Sequence, residues 1–485
     1  MANQKFFWAI LTTLLTFTAC KDEEALPRES CDFGKFQKVT YSEMISPDEF
    51  YKSILSAESF DKEILKTLRP AFDPIFRRMM KNQLEELDTD FKSEVGTDGS
   101  GQRRWHIEHF EFNYRSKSAR GQDVILTGHV TFPNNTVEGV THELRSLSLV
   151  SRGAKDLTTT STHSLSASEM HTLFNSAIII PEFQGGGVNT GKDVYCAISS
   201  KVLAQQMADC TLAALELMKR RGVVLAEDGF TNTFGISLGA TVSLAFAKYY
   251  ETQAPEWFRN TIRLKSTIAS NGPLDFAGTF WYMSEHPEFN ATLTKSLAVS
   301  LAALDKSQLG GYDPKSFMAD VFHNTMVEVN GQQRTYYDAL LYDSYNVLGT
   351  EKSVPKAYNL SDVLAADMLT ATGKLNSNSP KLQTFMRVIT EQNDIFGWSP
   401  TLPVYIIHCP DDNAIPYEQA RNYYNILSSN GSNTNVHWGD VEFPSLLKAA
   451  LSRMDGGIHA ASAIYSTWKW AVVEDPKEFV DGLTD

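Results

Sequence analysis

The stretch Thr231–Phe246, TNTFGISLGATVSLAF, decides how the rest of the chain is read. Its first residues favour a strand, its last are apolar and alanine-rich at helical spacing, and between them stands Gly235-Ile236-Ser237-Leu238-Gly239. A strand that turns straight into a helix around one serine has a specific chemical use. The tight turn points the Ser237 hydroxyl out of the sheet, and small residues two before and two after let strand and helix approach closely. The new helix aims the unpaired N–H groups of its first turn at the place where negative charge would develop. Ser237 is therefore the candidate nucleophile.

Working outward toward the N-terminus, the period of the sequence is two. Trp105–Tyr114 (WHIEHFEFNY), Val124–Phe132 (VILTGHVTF) and Leu144–Val150 read as successive strands, with a polar turn over Ser116–Gln122. Ala177–Ile180 (AIII) is a short, continuously apolar run, as expected of a strand buried on both faces. An amphipathic helix is expected over Val194–Lys219, and alternation of apolar strand and helix points to a mostly parallel α/β sheet. Gly185-Gly186-Gly187, after the apolar run, lacks the Lys-Ser/Thr of a phosphate loop and the spacing of a dinucleotide site. It reads as a close-packed loop, and no nucleotide, metal or organic cofactor is expected.

Toward the C-terminus, Ile262–Ser270 reads as another strand ending in Asn271-Gly272-Pro273. The pattern then changes. Asp275–Trp398 carries helical runs such as Leu293–Leu304 and Tyr336–Tyr345 and shows no clear buried strand, and the sheet resumes at Pro403–Ile407. The interval is expected to be a mainly helical insertion over the serine. The strand Leu402–His408 is followed by Cys409-Pro410-Asp411-Asp412-Asn413-Ala414-Ile415-Pro416. A carboxylate at the C-terminal end of a parallel strand is where such sheets place functional groups, and Asp411 and Asp412 both qualify. Farther on, Asn435–Trp438 reads as the last strand, and Gly456-Gly457-Ile458-His459 reads as a loop before a helix. A histidine there is free to reach a serine, whereas His408 ends a strand and His437 alternates with apolar residues inside one. The chain order is then Ser, Asp, His.

These motifs make residues from Trp105 to the C-terminus similar to the α/β-hydrolase superfamily. Within it, the first strands, the Pro181-Glu182-Phe183-Gln184-Gly185 stretch and the large insertion resemble secretory lipases and related secreted esterases, although Asp-Tyr usually stands there in place of Glu182-Phe183. The superfamily's acid motif, H-G-x-x-D-x-x-V-P, corresponds to His408–Pro416 and selects Asp412 over Asp411, with Cys409 in place of the usual glycine. The resemblance implies acyl transfer: Ser237 attacks an ester carbonyl, His459 takes and returns its proton, and Asp412 orients His459. It also implies an oxyanion donor in the backbone N–H of Leu238 and a second in the loop Ser151, Arg152, Gly153, Ala154, where the usual His-Gly is missing. The expected substrate is a small ester or acylated molecule. Amide cleavage by the same three residues, and a surface binding protein on a retired scaffold, are the alternatives.

The first residues read as an address. Lys5, the apolar or threonine run Phe6–Phe17 and Thr18-Ala19-Cys20 resemble a bacterial lipoprotein signal peptide, with Cys20 as the lipidated residue. About 14 apolar residues fall short of the roughly 20 that span a bilayer. Membrane contact is thus expected only through the lipid at Cys20, in the cell envelope, and Lys21-Asp22-Glu23-Glu24 resembles the acidic tag of surface-exported lipoproteins. The expected organisation is a signal peptide over 1–19, a tether over 20–45, a helical brace over 46–103, a sheet domain in two parts over 104–274 and 401–485, and the insertion over 275–400. Ser46-Pro47-Asp48-Glu49 carries the signature of a helix start, with Ile45 and Phe50 placed to staple it. With 485 residues the chain can bury a large core. Its net charge of −14 argues against general attraction to nucleic acid. Cys31, Cys196, Cys210 and Cys409 have neither metal-type nor disulfide-framework spacing.

Overall fold

The computed structural model describes residues 34–47, 49–50, 105–135, 139–151, 167–189, 194–196, 198–329, 331–341, 359–393, 395–429, 431–453, 457–472 and 476–481. The signal peptide, Cys20, Cys31 and nearly all of the helical brace lie outside the described residues. A nine-stranded sheet runs in the order β1-β2-β3-β5-β4-β6-β7-β10-β11. Its strands are β1 (Phe36–Ile45), β2 (Trp105–Lys117), β3 (Asp123–Asn135), β4 (His142–Ser151), β5 (Ser176–Pro181), β6 (Val223–Ile236), β7 (Leu264–Ser270), β10 (Val404–His408) and β11 (Val436–Asp440). Pairings from β1 through β3 to β5 are antiparallel, and those from β5 through β4 and onward are parallel.

Alternation along each central strand builds two cores. In β5, Ala177 and Ile179 face one core while Ile178 and Ile180 face the other; in β10, Val404 and Ile406 divide from Tyr405 and Ile407 in the same way. Helices α1 (Ser200–Arg220) and α2 (Leu238–Thr252) cover the first face with Leu203, Met207, Val242 and Phe246. On the second face lies the C-terminal helix Gly457–Val472, which contributes Ile458, Ala461, Tyr465 and Trp470. Trp470 stacks on Phe234 of β6 at 5.5 Å between centroids. Each such fully buried side chain is worth about 1.5–3 kcal/mol relative to exposure.

Some boundaries differ from the sequence reading. Phe36–Ile45, expected within the tether, is an edge strand paired to β2. None of its side chains is fully buried; exposure alternates over Thr40–Ile45, but the half-buried positions include Glu43 while Val39 and Met44 are exposed, so the apolar residues show no period of two. At Ser46 the expected helix start is present: Glu49 N–H donates to Ser46 Oγ at 3.2 Å, Ser46 N–H donates to Glu49 Oε2 at 3.2 Å, and Phe50 is fully buried. The helix expected from Val194 begins at Ser200, which leaves the buried Cys196 outside it. Ile262 belongs to a helix, α3 (Glu256–Ile262), which Arg263 ends in a left-handed conformation (φ 52°), so β7 starts at Leu264.

Between β7 and β10 lies the insertion, with helices α4 (Phe276–Glu285), α5 (Asn290–Ala303) and α6 (Pro380–Gln392). Ser379 accepts from Leu382 N–H and Pro380 opens α6, an N-cap followed by proline. Contrary to expectation, the insertion also holds a two-stranded antiparallel hairpin, β8 (Met326–Val329) and β9 (Gln332–Thr335), which buries Val327 and Val329. Four-residue strands are too short for their alternation to stand out from helical spacing. The insertion has its own apolar cluster, and Leu238, next to Ser237, packs against both that cluster and the sheet core.

Candidate active site

Ser237 stands where β6 becomes α2, with φ 53° and ψ −126°. A sparsely populated positive-φ conformation in a residue with a Cβ costs about 1–3 kcal/mol and persists only where the surroundings enforce it. Here they do: Ser237 N–H donates to Ser270 O at 2.8 Å, and Ala240 N–H donates to Ser237 O at 3.0 Å. The turn is too tight for side chains on its flanks. A Cβ on Gly235 would lie 2.1 Å from Gly239 O, and one on Gly272 would lie 2.6 Å from Ser237 O. Both glycines are demanded by close approach.

The carboxylate comes from the loop after β10. Asp412 is buried, and its Oδ1 accepts from the N–H groups of Ala414 and Ile415, each at 2.9 Å. Its Oδ2 lies 2.7 Å from His459 Nδ1. A carboxylate only accepts, so Nδ1 carries the proton; in the neutral ring Nε2 is then the acceptor, and Ser237 Oγ donates to it over 3.0 Å. The structure therefore joins Ser237, His459 and Asp412 in one hydrogen-bonded chain. Burial disfavours the imidazolium, yet the charge and hydrogen bond of Asp412 outweigh it and raise the His459 pKa above the ordinary histidine value. Burial alone would also push Asp412 up, but His459, the nearby His408 ring and the Ile415 N–H hold it below the usual carboxylate value.

His459 is the third residue of the helix Gly457–Val472 and so sits in its first turn, where a loop before the helix was expected. This helix is labelled α9; it follows α7 (Tyr417–Leu427) and α8 (Ser445–Leu451). Asp411, the other sequence candidate, points away and pairs with Lys448 at 2.5 Å on the surface. His437 stacks on Tyr405 within the sheet, 4.7 Å between centroids. His408 is fully buried; its Nε2–H donates to Ile415 O at 3.1 Å and lies 3.6 Å from Asp412 Oδ2, too far for a hydrogen bond. Burial holds His408 below the ordinary histidine pKa, against the pull of Asp412, and so favours its neutral form.

Other supports of the site went unnoticed in the sequence. Asn271, read only as a strand end, adopts φ 52° and accepts from Cys409 N–H through Oδ1 at 2.9 Å, fastening the carboxylate loop to β7. A strand followed by Asn-Gly was the available signal. Leu238, the expected oxyanion donor, opens α2. Of the loop proposed for the second donor, Ser151 ends β4 beside Gly235, buried, and its Oγ has no hydrogen-bond partner among the described residues; Arg152, Gly153 and Ala154 lie outside them.

Solved structures share the overall architecture of this chain. A rice cell wall degrading esterase, LipA, from Xanthomonas oryzae superimposes with a TM-score of 0.59 at 11% identity, covering 90% of this chain and 96% of its own. A Legionella pneumophila protein assigned to the hydrolases gives 0.50 at 12% identity, over 88% and 98% of the two chains. The fold is the α/β-hydrolase fold. At this level of identity the likeness establishes architecture alone. No family model matches the sequence, and no curated protein is similar to it in sequence.

Proposed function

We propose that the protein is a serine hydrolase that cleaves carboxylic esters through an acyl-enzyme on Ser237. The observation that carries this reading is the continuous chain from Ser237 Oγ to His459 Nε2 at 3.0 Å and from His459 Nδ1 to Asp412 Oδ2 at 2.7 Å. As Ser237 Oγ attacks the carbonyl carbon, its proton passes to His459, and Asp412 stabilises the imidazolium that forms. The oxyanion is received by the Leu238 N–H at the start of α2 and by a second donor in the loop after β4. His459 then gives the proton to the leaving alcohol, and water releases the acid in the reverse sequence. The insertion packs against Leu238, and as a cap it would bound the pocket that receives the acyl group. An esterase among the proteins of similar fold supports the choice of ester. The reading includes a lipid anchor at Cys20, which would hold the enzyme at the cell envelope facing acylated molecules there.

The test is turnover of 4-nitrophenyl acetate, butyrate and longer acyl esters by the full-length protein beside Ser237→Ala. Hydrolysis by the wild type that is lost in the variant is expected, along with labelling of Ser237 by a fluorophosphonate. An inactive wild type that the probe does not label would overturn the proposal.

A further inference from the structure

The acid and base of the site are joined twice. Besides the bond between Asp412 and His459, the neighbouring Asn413 reaches the same helix: its Oδ1 accepts from Ile458 N–H at 3.1 Å and from His459 N–H at 3.4 Å. The first N–H groups of any helix lack intrahelical partners, and they are usually met by a side chain just before the helix. In α9 an acceptor comes from the β10 loop, 45 residues away in sequence from Ile458. One dipeptide thus holds both the imidazole of His459, through Asp412, and its backbone, through Asn413. A ring fixed only by its Nδ1–H could still pivot about that bond and swing Nε2 off Ser237. Fixing the main chain removes this freedom.

We infer that Asn413 is a positioning residue that sets the place and basicity of His459 by capping helix α9 from the carboxylate loop. It does so as a neutral acceptor. The charged or titratable groups around the imidazole are Asp412, facing Nδ1, and His408, which packs against Asp412 from the end of β10 and is itself near Asp440. A carboxylate at position 413 would keep the acceptor oxygen and add a second negative charge beside the ring, favouring the imidazolium. Loss of the acceptor would free the helix start, and a displacement near 1 Å at a reacting group costs about 10²-fold in rate.

This inference rests on the hydrolase reading, so its test includes a signal that needs no substrate. Full-length protein labelled with 15N-histidine is titrated, with the His459 resonances assigned by their absence in His459→Gln. In Asn413→Ala the downfield Nδ1–H signal of the Asp412 bond should weaken or vanish, and kcat/KM on a 4-nitrophenyl ester should fall about 10²-fold. In Asn413→Asp the signal should return, most of the rate should be recovered at high pH, and the His459 pKa should rise above wild type by about one unit. A wild-type His459 titration in Asn413→Asp overturns the inference, whatever the alanine variant does. If the wild type hydrolyses no ester while these shifts are seen, the hydrolase reading fails and the positioning role stands.

Discussion

Two of the histidine–carboxylate pairs among the described residues are alike in chemistry and differ in their surroundings. His459 Nδ1 meets Asp412 at 2.7 Å beside Ser237; His129 Nε2 meets Glu182 at 3.0 Å, where the antiparallel strands join the rest of the sheet. Burial opposes the charged ring at both, and at both the carboxylate partner prevails and raises the histidine pKa. Chemistry of the pair is therefore not what distinguishes them. Asp412 has both oxygens committed, one to two backbone N–H groups and one to the imidazole. Glu182 bonds His129 through Oε1, and its buried Oε2, beneath the Gly187 turn, has no partner among the described residues. The second nitrogen of His459 faces a hydroxyl held in a strained turn, whereas the His129 ring stacks on His109 at 6.1 Å. A locked carboxylate and a hydroxyl on the far side of the ring are what separate the first pair from the second.

The largest expected difference follows from replacing each carboxylate by its amide. Asp412→Asn should lower kcat/KM for an activated ester by about 10⁴-fold, because the amide no longer enforces the Nδ1–H tautomer. Glu182→Gln should leave kcat within about twofold, since nothing at that pair touches the reacting atoms. Comparable losses in both would break the distinction. The pH profile sharpens it further. His459 must be neutral to accept the Ser237 proton, and its pKa is raised, so kcat/KM should fall on the acid side with a midpoint above about pH 6.5 and stay level toward pH 9. A midpoint near pH 5 would contradict the assigned base.

The sheet and the grouping of Ser237, His459 and Asp412 were legible in the sequence because their physics is local or periodic. Ser237 announced itself through a strand, two glycines and a helix, and Ala177–Ile180 through unbroken burial. Supports that act across the fold were not legible. Asn413 caps a helix 45 positions on, Asn271 holds the Cys409 N–H from 138 positions back, and neither distance leaves a pattern in the chain. The edge strand Phe36–Ile45 escaped because backbone pairing, unlike apolar alternation, is indifferent to side chains. His459 was found, but its place within the helix was not, since a glycine pair before a helix reads equally as loop or first turn.

At the structural pair the expected effect is on stability. His129→Gln removes a charge that Glu182 compensates while leaving a carboxylate enclosed, and should cost roughly 2 kcal/mol at pH 6, with kcat unchanged. The folded-state pKa of His129 is raised, so the stabilisation is full below the unfolded value of about 6.5 and is lost as pH climbs through the folded value. The stability gap between wild type and variant, read by urea titration, should therefore narrow between pH 6 and pH 9. A gap that widens would mean that His129 is neutral in the folded protein.

The smallest effect is expected one residue from the largest. Asp411 precedes Asp412 and pairs with Lys448, but 41% of its side chain and 32% of that of Lys448 remain exposed. A pair so open to solvent is screened and contributes about 0–1 kcal/mol. Asp411→Asn should shift the urea midpoint barely, weaken in effect as salt is raised, and leave kcat/KM and its acid midpoint where they were. Adjacent carboxylates on one loop would then differ by four orders of magnitude in their effect on rate, through side-chain direction alone. A tenfold loss of activity in Asp411→Asn, with Asp412→Asn no worse, would move the carboxylate role to Asp411 and would require the loop to rearrange when substrate binds.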